Sequence, residues 1–294
     1  MPLLTRLLPA VLAVAATPAF AHEGHDHEAG WTLAPSVVLP LLLAALLYAI
    51  GFARLWRRAE RGRGALRRGA LLYACAWLSL AGALVSPLHE AGERSFTPHM
   101  IEHEIIMLLS ALLFVAARPG VPLLWALPDG LRQRLAGTGR WPLWRMLADP
   151  FVATALQAAV ITAWHAPSLF DRALRSEPLH ILQHISFLAA ALLFWRAMLH
   201  GRTGRSGAFV AAACLFVTSM IGGGLGALMT FAHSPWYQAY ASLGMTPAGL
   251  TPEQDQQLAG LIMWVPGGLY HLAAALWFLG RAMGEGGEDA IRAG

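Results

Sequence analysis

The sequence predicts an all-α integral membrane protein, a seven-transmembrane helix bundle with its N-terminus outside and its C-terminus inside. Three observations predict it. Of the 294 residues, 56% are hydrophobic and 13% charged, against about 25% charged in soluble domains. Seven apolar segments recur along the chain, each near the ~20 residues that cross a bilayer. The loops between them alternate between arginine-dense and arginine-poor.

Residues 1–21 read as a signal peptide. A short positive start precedes an apolar core, and Ala19, Phe20 and Ala21 form an A-x-A-like cleavage site. The competing reading, an uncleaved anchor, suffers from an apolar stretch short for ~30 Å of hydrocarbon. Cleavage would leave His22 heading a histidine-rich outer tail, residues 22–34. The seven segments lie at 35–56, 66–87, 98–118, 150–168, 178–199, 207–231 and 256–281, within a membrane domain of residues 35–283. Residues 284–294 are expected as a cytoplasmic tail. Loop 57–68 carries six arginines, and loops 118–149 and 200–206 carry more. The intervening loops hold Arg94 in one, Arg172 and Arg175 in the next, and none in 232–255. By the positive-inside rule the dense loops are cytoplasmic, which agrees with a cleaved leader.

The net charge of +4 comes wholly from arginine, since the chain has no lysine. Those arginines sit between apolar runs, so topology accounts for them and nucleic-acid binding is not expected. Cys75 and Cys214 fall inside apolar runs and form no CxxC motif. Gly222 and Gly226, in IGGGLGALM, form a small-xxx-small pattern for close helix approach. No GK[ST] follows to make a phosphate loop, and no GxSxG suggests a serine hydrolase.

The histidines choose one side. His89 ends the second segment, His99 and His103 open the third, His165 ends the fourth, His180 and His184 open the fifth, and His233 ends the sixth. All seven lie outside in the predicted topology, whereas His271 lies deep in the last segment. Residues at i and i+4 share one helix face, ~6 Å apart along the axis. His99 and His103 therefore point together, with Met107 extending their stripe, and His180 and His184 form a second pair at matching depth. Imidazoles with a thioether suit copper, and Cu(I) in particular. Either pair alone has a bland reading, hydrogen bonding at the interface, and Met107 is equally a gap filler. Ionisable groups in membrane segments are functional candidates because burying them is costly. Glu102 and Glu104 point elsewhere, as partners of a histidine or as lining of a wet vestibule. His165, before Pro167, is a ligand or a structural hydrogen-bonder. His89 and His233 are weaker candidates, and His271 either packs helices or continues a transfer path. The tail HEGHDHEAG, with His22, His25 and His27, is a metal-capturing tract by composition.

Five stretches carry a family likeness: HMIEHEIIMLLSALLFVAARPG, WHAPSLFDRAL, PLHILQHISFLAAALLFW, LGALMTFAHSPWYQAY and DQQLAGLIMWVPGGLYHL. They resemble the CtaG family of cytochrome c oxidase assembly factors, over nearly all of 35–281. The resemblance implies a non-enzymatic, multi-spanning protein of the bacterial inner membrane that helps copper reach the buried site of a haem–copper oxidase. It makes His99, His103, His165, His180 and His184 the copper-ligand candidates. The expected partners are the oxidase subunit with that site, a periplasmic copper donor and the lipid bilayer. Transient Cu(I) binding is the expected chemistry. The rivals are a membrane copper transporter, a zinc hydrolase using Glu102 or Asp171 as base, and a bis-histidine haem protein.

Overall fold

The computed structural model describes residues 30–137, 139, 141–202 and 204–293, with side chains to residue 283. The expected signal peptide (1–21) and the tail histidines His22, His25 and His27 lie outside the described residues. All regular structure among the described residues is helical.

The chain opens with α1 (Pro35–Arg58) and α2 (Arg63–Val85). A short helix, α3 (Pro87–Arg94), folds out of the loop expected over 88–97; Ser86 starts it by accepting from the Leu88 N–H. Next comes α4 (Phe96–Ala117), whose middle, Ile105–Ser110, is wound as a π-helix. The loop over 118–149 holds α5 (Gly120–Ala126), α6 (Asp129–Ala136) and α7 (Pro142–Leu147). Asp149 caps α8 (Pro150–Trp164), and α9 (Pro167–Leu174) comes after it. The chain closes with α10 (Glu177–His200), α11 (Gly204–Thr230), α12 (Gln238–Ala241) and α13 (Pro252–Ala293). Helix α13 thus carries the expected C-terminal tail as helix up to Ala293.

Among the described residues, six helices are long and apolar enough to cross a membrane: α1, α2, α4, α10, α11 and the Pro252–Met283 part of α13. The chain is accordingly a multi-pass membrane protein. The crossing expected at 150–168 is the one that comes out short. Its helix, α8, has 15 residues, about 22 Å at 1.5 Å per residue, less than the ~30 Å of hydrocarbon. Pro167 is the reason. The residue before a proline is pushed out of the helical region, and Ala166 sits at φ −65°, ψ 125°, so a new helix begins instead.

Helices α4 and α10 form the centre: half of each apolar window is buried, against 17% for α1. On one side α11 crosses α13 where two glycines meet. A Cβ on Gly260 would lie 2.6 Å from the Gly226 carbonyl oxygen, and one on Gly226 would lie 2.7 Å from that of Gly260. The π turn of α4 is held from both flanks. Trp195 Nε1 donates to the Met107 carbonyl at 3.0 Å, and the Tyr270 hydroxyl donates to the Leu108 carbonyl at 2.9 Å. The N-terminus of α4 is fixed by α13. Asp255 accepts from the Phe96 N–H at 2.6 Å, the Thr97 N–H at 3.0 Å and the Ser95 hydroxyl at 2.8 Å. A carboxylate there satisfies orphan donors and suits the positive end of the helix dipole.

Candidate metal centre

Helices α4 and α10 pack against each other in the core, and each opens with two histidines one turn apart. Within the pairs, ring centroids are 4.2 Å apart for His99–His103 and 4.5 Å for His180–His184. Across the helices, His99 stacks on His180 at 5.3 Å and His103 meets His184 edge-on at 5.2 Å. The rings therefore face one another inside the bundle, not lipid. One ligand atom each from His99, His103 and His184 lie within 4.8 Å of one another.

A third helix contributes. His89 on α3 stacks on His180 at 5.5 Å and approaches His184 at 5.8 Å. Gly92 makes this possible: a Cβ there would meet the His99 Cα at 3.2 Å, and the Tyr240 hydroxyl bonds the Gly92 carbonyl at 2.5 Å. His89 Nδ1 lies 2.8 Å from Glu102 Oε1, and His184 Nε2 lies 3.8 Å from the same oxygen. His89, Glu102 and His184 make a second group with ligand atoms within 4.8 Å. Burial alone would push the His89 imidazole down. The hydrogen bond and charge of Glu102, with Glu93 and Glu90 beyond, instead hold it above the ordinary histidine value.

The cluster is wrapped in aromatic rings. Phe170 packs 5.4 Å from His99 and Phe187 4.7 Å from His103, while Phe96, Tyr237 and Tyr240 close against Phe170. Inside this shell several polar atoms are buried without a hydrogen-bond partner: His99 Nε2, both nitrogens of His103, His180 Nε2, His184 Nε2 and Glu102 Oε2. Each such atom costs about 1–3 kcal/mol, and native proteins keep few of them. Neutral imidazole nitrogens gathered at this spacing are a donor set that a metal ion would satisfy.

The other expected residues fall in different places. His165 closes α8, buried, and its Nδ1 faces the Ile161 carbonyl at 2.8 Å. A carbonyl can only accept, so Nδ1 carries the proton and Nε2 presents a lone pair, which has no partner. Its ring packs at 6.3 Å on Phe187, in the wall around the cluster and in neither three-residue group. Met107 lines a separate small cavity with Glu104, Gln157, Met263, Gly267 and His271. Its volume, about 20 Å³ to water-sized molecules, has room for roughly one water. His271 Nδ1 donates to the Gly267 carbonyl at 2.8 Å, and its ring stacks on Trp195 at 6.2 Å. His233 is exposed in the loop after α11 and joins neither group.

Two features were not anticipated from the residues alone. Glu102 is a full member of the second group, because α3 folds back to bring His89 onto it; Ser86-Pro87, a capping residue before an N1 proline, was the available signal. The Asp255-Gln256-Gln257 run pins the loop between α11 and α13. Gln256 bonds the Trp236 N–H and the Ser234 carbonyl, and Gln257 the Ala232 carbonyl, while Asp255 holds α4.

Two uncharacterized proteins, one of Mycobacterium bovis and one of Mycobacterium tuberculosis, are each 30% identical over 169 residues, 54% of this chain. The matched stretch makes up 24% of those relatives, so the chain spans about a quarter of their length. No solved structure matches. Residues 46–285 match the family described as cytochrome c oxidase caa3 assembly factor (Caa3_CtaG). With the match running over most of its length, the chain belongs to the cytochrome c oxidase caa3 assembly factor family.

Proposed function

We propose that this assembly factor binds copper as cargo at the buried imidazole cluster and delivers it to the oxidase subunit that carries the buried copper site. The observation that carries the reading is the convergence of His99, His103 and His184 within 4.8 Å, with unpartnered nitrogens on each. Imidazoles from two helices, with His180 beside them, offer Cu(I) a neutral nitrogen set. The aromatic wall keeps bulk water from competing for it. Release is by ligand exchange with the acceptor, so the protein coordinates and passes on its cargo without turnover.

The arginine-dense loops support a cluster on the periplasmic side of the bacterial inner membrane, by the positive-inside rule. In this reading α8 with α9 completes a seventh crossing, and the outer tail with His22, His25 and His27 takes copper from a periplasmic donor. His165, presenting Nε2 from the wall, is a further ligand candidate. The test is the copper content of the purified protein. Wild type is expected to hold Cu(I), and both the His99→Ala/His103→Ala and the His180→Ala/His184→Ala variants to lose it. Copper retained by both variants overturns the reading.

One observation favours a second reading, a copper transporter. Glu104, Met107, Met263 and His271 line the small cavity deeper in the bundle, where a path inward would run. Copper uptake into vesicles containing this protein alone would establish it.

A further inference from the structure

The two groups in the cluster differ in chemistry and share one member. His99, His103 and His184 are three imidazoles. His89, Glu102 and His184 are two imidazoles and a carboxylate. We infer that the cluster has two mutually exclusive ion positions: an inner, all-imidazole one for Cu(I), and an outer one at His89, Glu102 and His184 that takes a divalent cation of the zinc class. The Cu(I) half rests on the function proposed above. The divalent half stands on its own geometry.

The donor atoms argue for the outer position. Glu102 is 0% exposed, yet its Oε2 has no hydrogen-bond partner. Its Oε1 lies 3.8 Å from His184 Nε2, itself unpartnered. That is too long for a hydrogen bond. It fits two ligands of one ion: at about 2.0–2.2 Å from zinc, two donors stand roughly 3.3 Å apart in a tetrahedron and about 4.2 Å when opposite. Two imidazoles with a carboxylate is an established zinc set with a position left open. A buried carboxylate also favours a divalent over a monovalent ion, because the stronger charge offsets more of the desolvation.

Position and sharing argue for exclusion. His89, at 9% exposure, is the least buried member, on a short helix beside the bundle's spans, whereas His103 is 0% exposed. The carboxylate group thus lies at the rim and the imidazole group behind it. His184 belongs to both, so an ion seated at one position removes a ligand from the other. A divalent ion at the rim would hold Cu(I) out, and Cu(I) within would weaken the rim.

The test uses the purified full chain in detergent, titrated with Zn(II) alone and with Cu(I) alone against chromophoric chelators, then with both. Wild type is expected to bind one equivalent of either, each displacing the other. Glu102→Gln, nearly isosteric, should weaken Zn(II) by more than tenfold and leave Cu(I) within threefold; His89→Gln should do the same. His103→Ala should weaken Cu(I) and spare Zn(II), and His184→Ala should weaken both. Simultaneous binding of both ions without competition overturns the inference, as does a Glu102→Gln variant whose Zn(II) affinity is unchanged or falls no more than its Cu(I) affinity. If wild type binds Zn(II) through Glu102 but no Cu(I), the copper reading fails while the rim site stands.

Discussion

Asp255 and Glu102 are both buried carboxylates, 1% and 0% exposed, and their surroundings are opposite. Asp255 accepts from three donors at the start of α4, and both its oxygens are used. Glu102 has one partner, His89, and its second oxygen has none. Burial is therefore not what separates the two carboxylates. The count of satisfied lone pairs does. Asp255 makes the bundle more stable where it sits. Glu102 and the imidazoles near it are held in an environment that leaves them wanting a ligand.

The comparison breaks most readily at Asp255. Asp255→Ala strands the Phe96 and Thr97 amides at a buried helix start and is expected to lower stability by about 3–5 kcal/mol, read as a fall in unfolding temperature of the purified protein. Next in size is the cargo itself. His99→Ala/His103→Ala should weaken copper binding by about 100-fold or more, measured by chelator competition, with the unfolding temperature of the apoprotein little changed. Acid sharpens the same contrast. An imidazole ligates through a neutral nitrogen, so protons compete with the metal for it. Copper affinity should thus fall as the protein is acidified, by about tenfold or more before the fold is lost; an affinity that stays flat down to acid unfolding would remove imidazole as the ligand. The smallest effect belongs to Glu102→Gln in the metal-free protein. It should shift stability by about 1 kcal/mol or less, because the wild-type carboxylate is only half satisfied. A loss as large as that of Asp255→Ala would erase the distinction between the two sites.

Much of the fold was legible because length and hydropathy determine a membrane helix. The segment expected at 98–118 is Phe96–Ala117, and that at 178–199 is Glu177–His200. The pairing of histidines within each helix was legible too, since i,i+4 spacing fixes a face; which pairs meet was not, because the sequence does not give the order of helices around the bundle. Features set by backbone departures were not legible. The helix end ahead of Pro167 is the exception, marked by the proline itself and found at Trp164, although the apolar window ran on to residue 168. Met107 was assigned to the histidine stripe by α-helical spacing. The π turn at Ile105–Ser110 is invisible to that spacing; Met107 lies within it and lines the small cavity with His271. The contact of His89 with Glu102 needs α3 to fold back, a tertiary event with no periodic signature.

The grip on the π turn has a consequence for mutational tolerance. Trp195 and Tyr270 clasp main-chain oxygens of Met107 and Leu108, not their side chains. Every amino acid supplies the same oxygen, so positions 107 and 108 can vary in identity without releasing either clasp. The vulnerability is one-sided: replacing the indole or the phenol undoes a fastening that no change on α4 itself can.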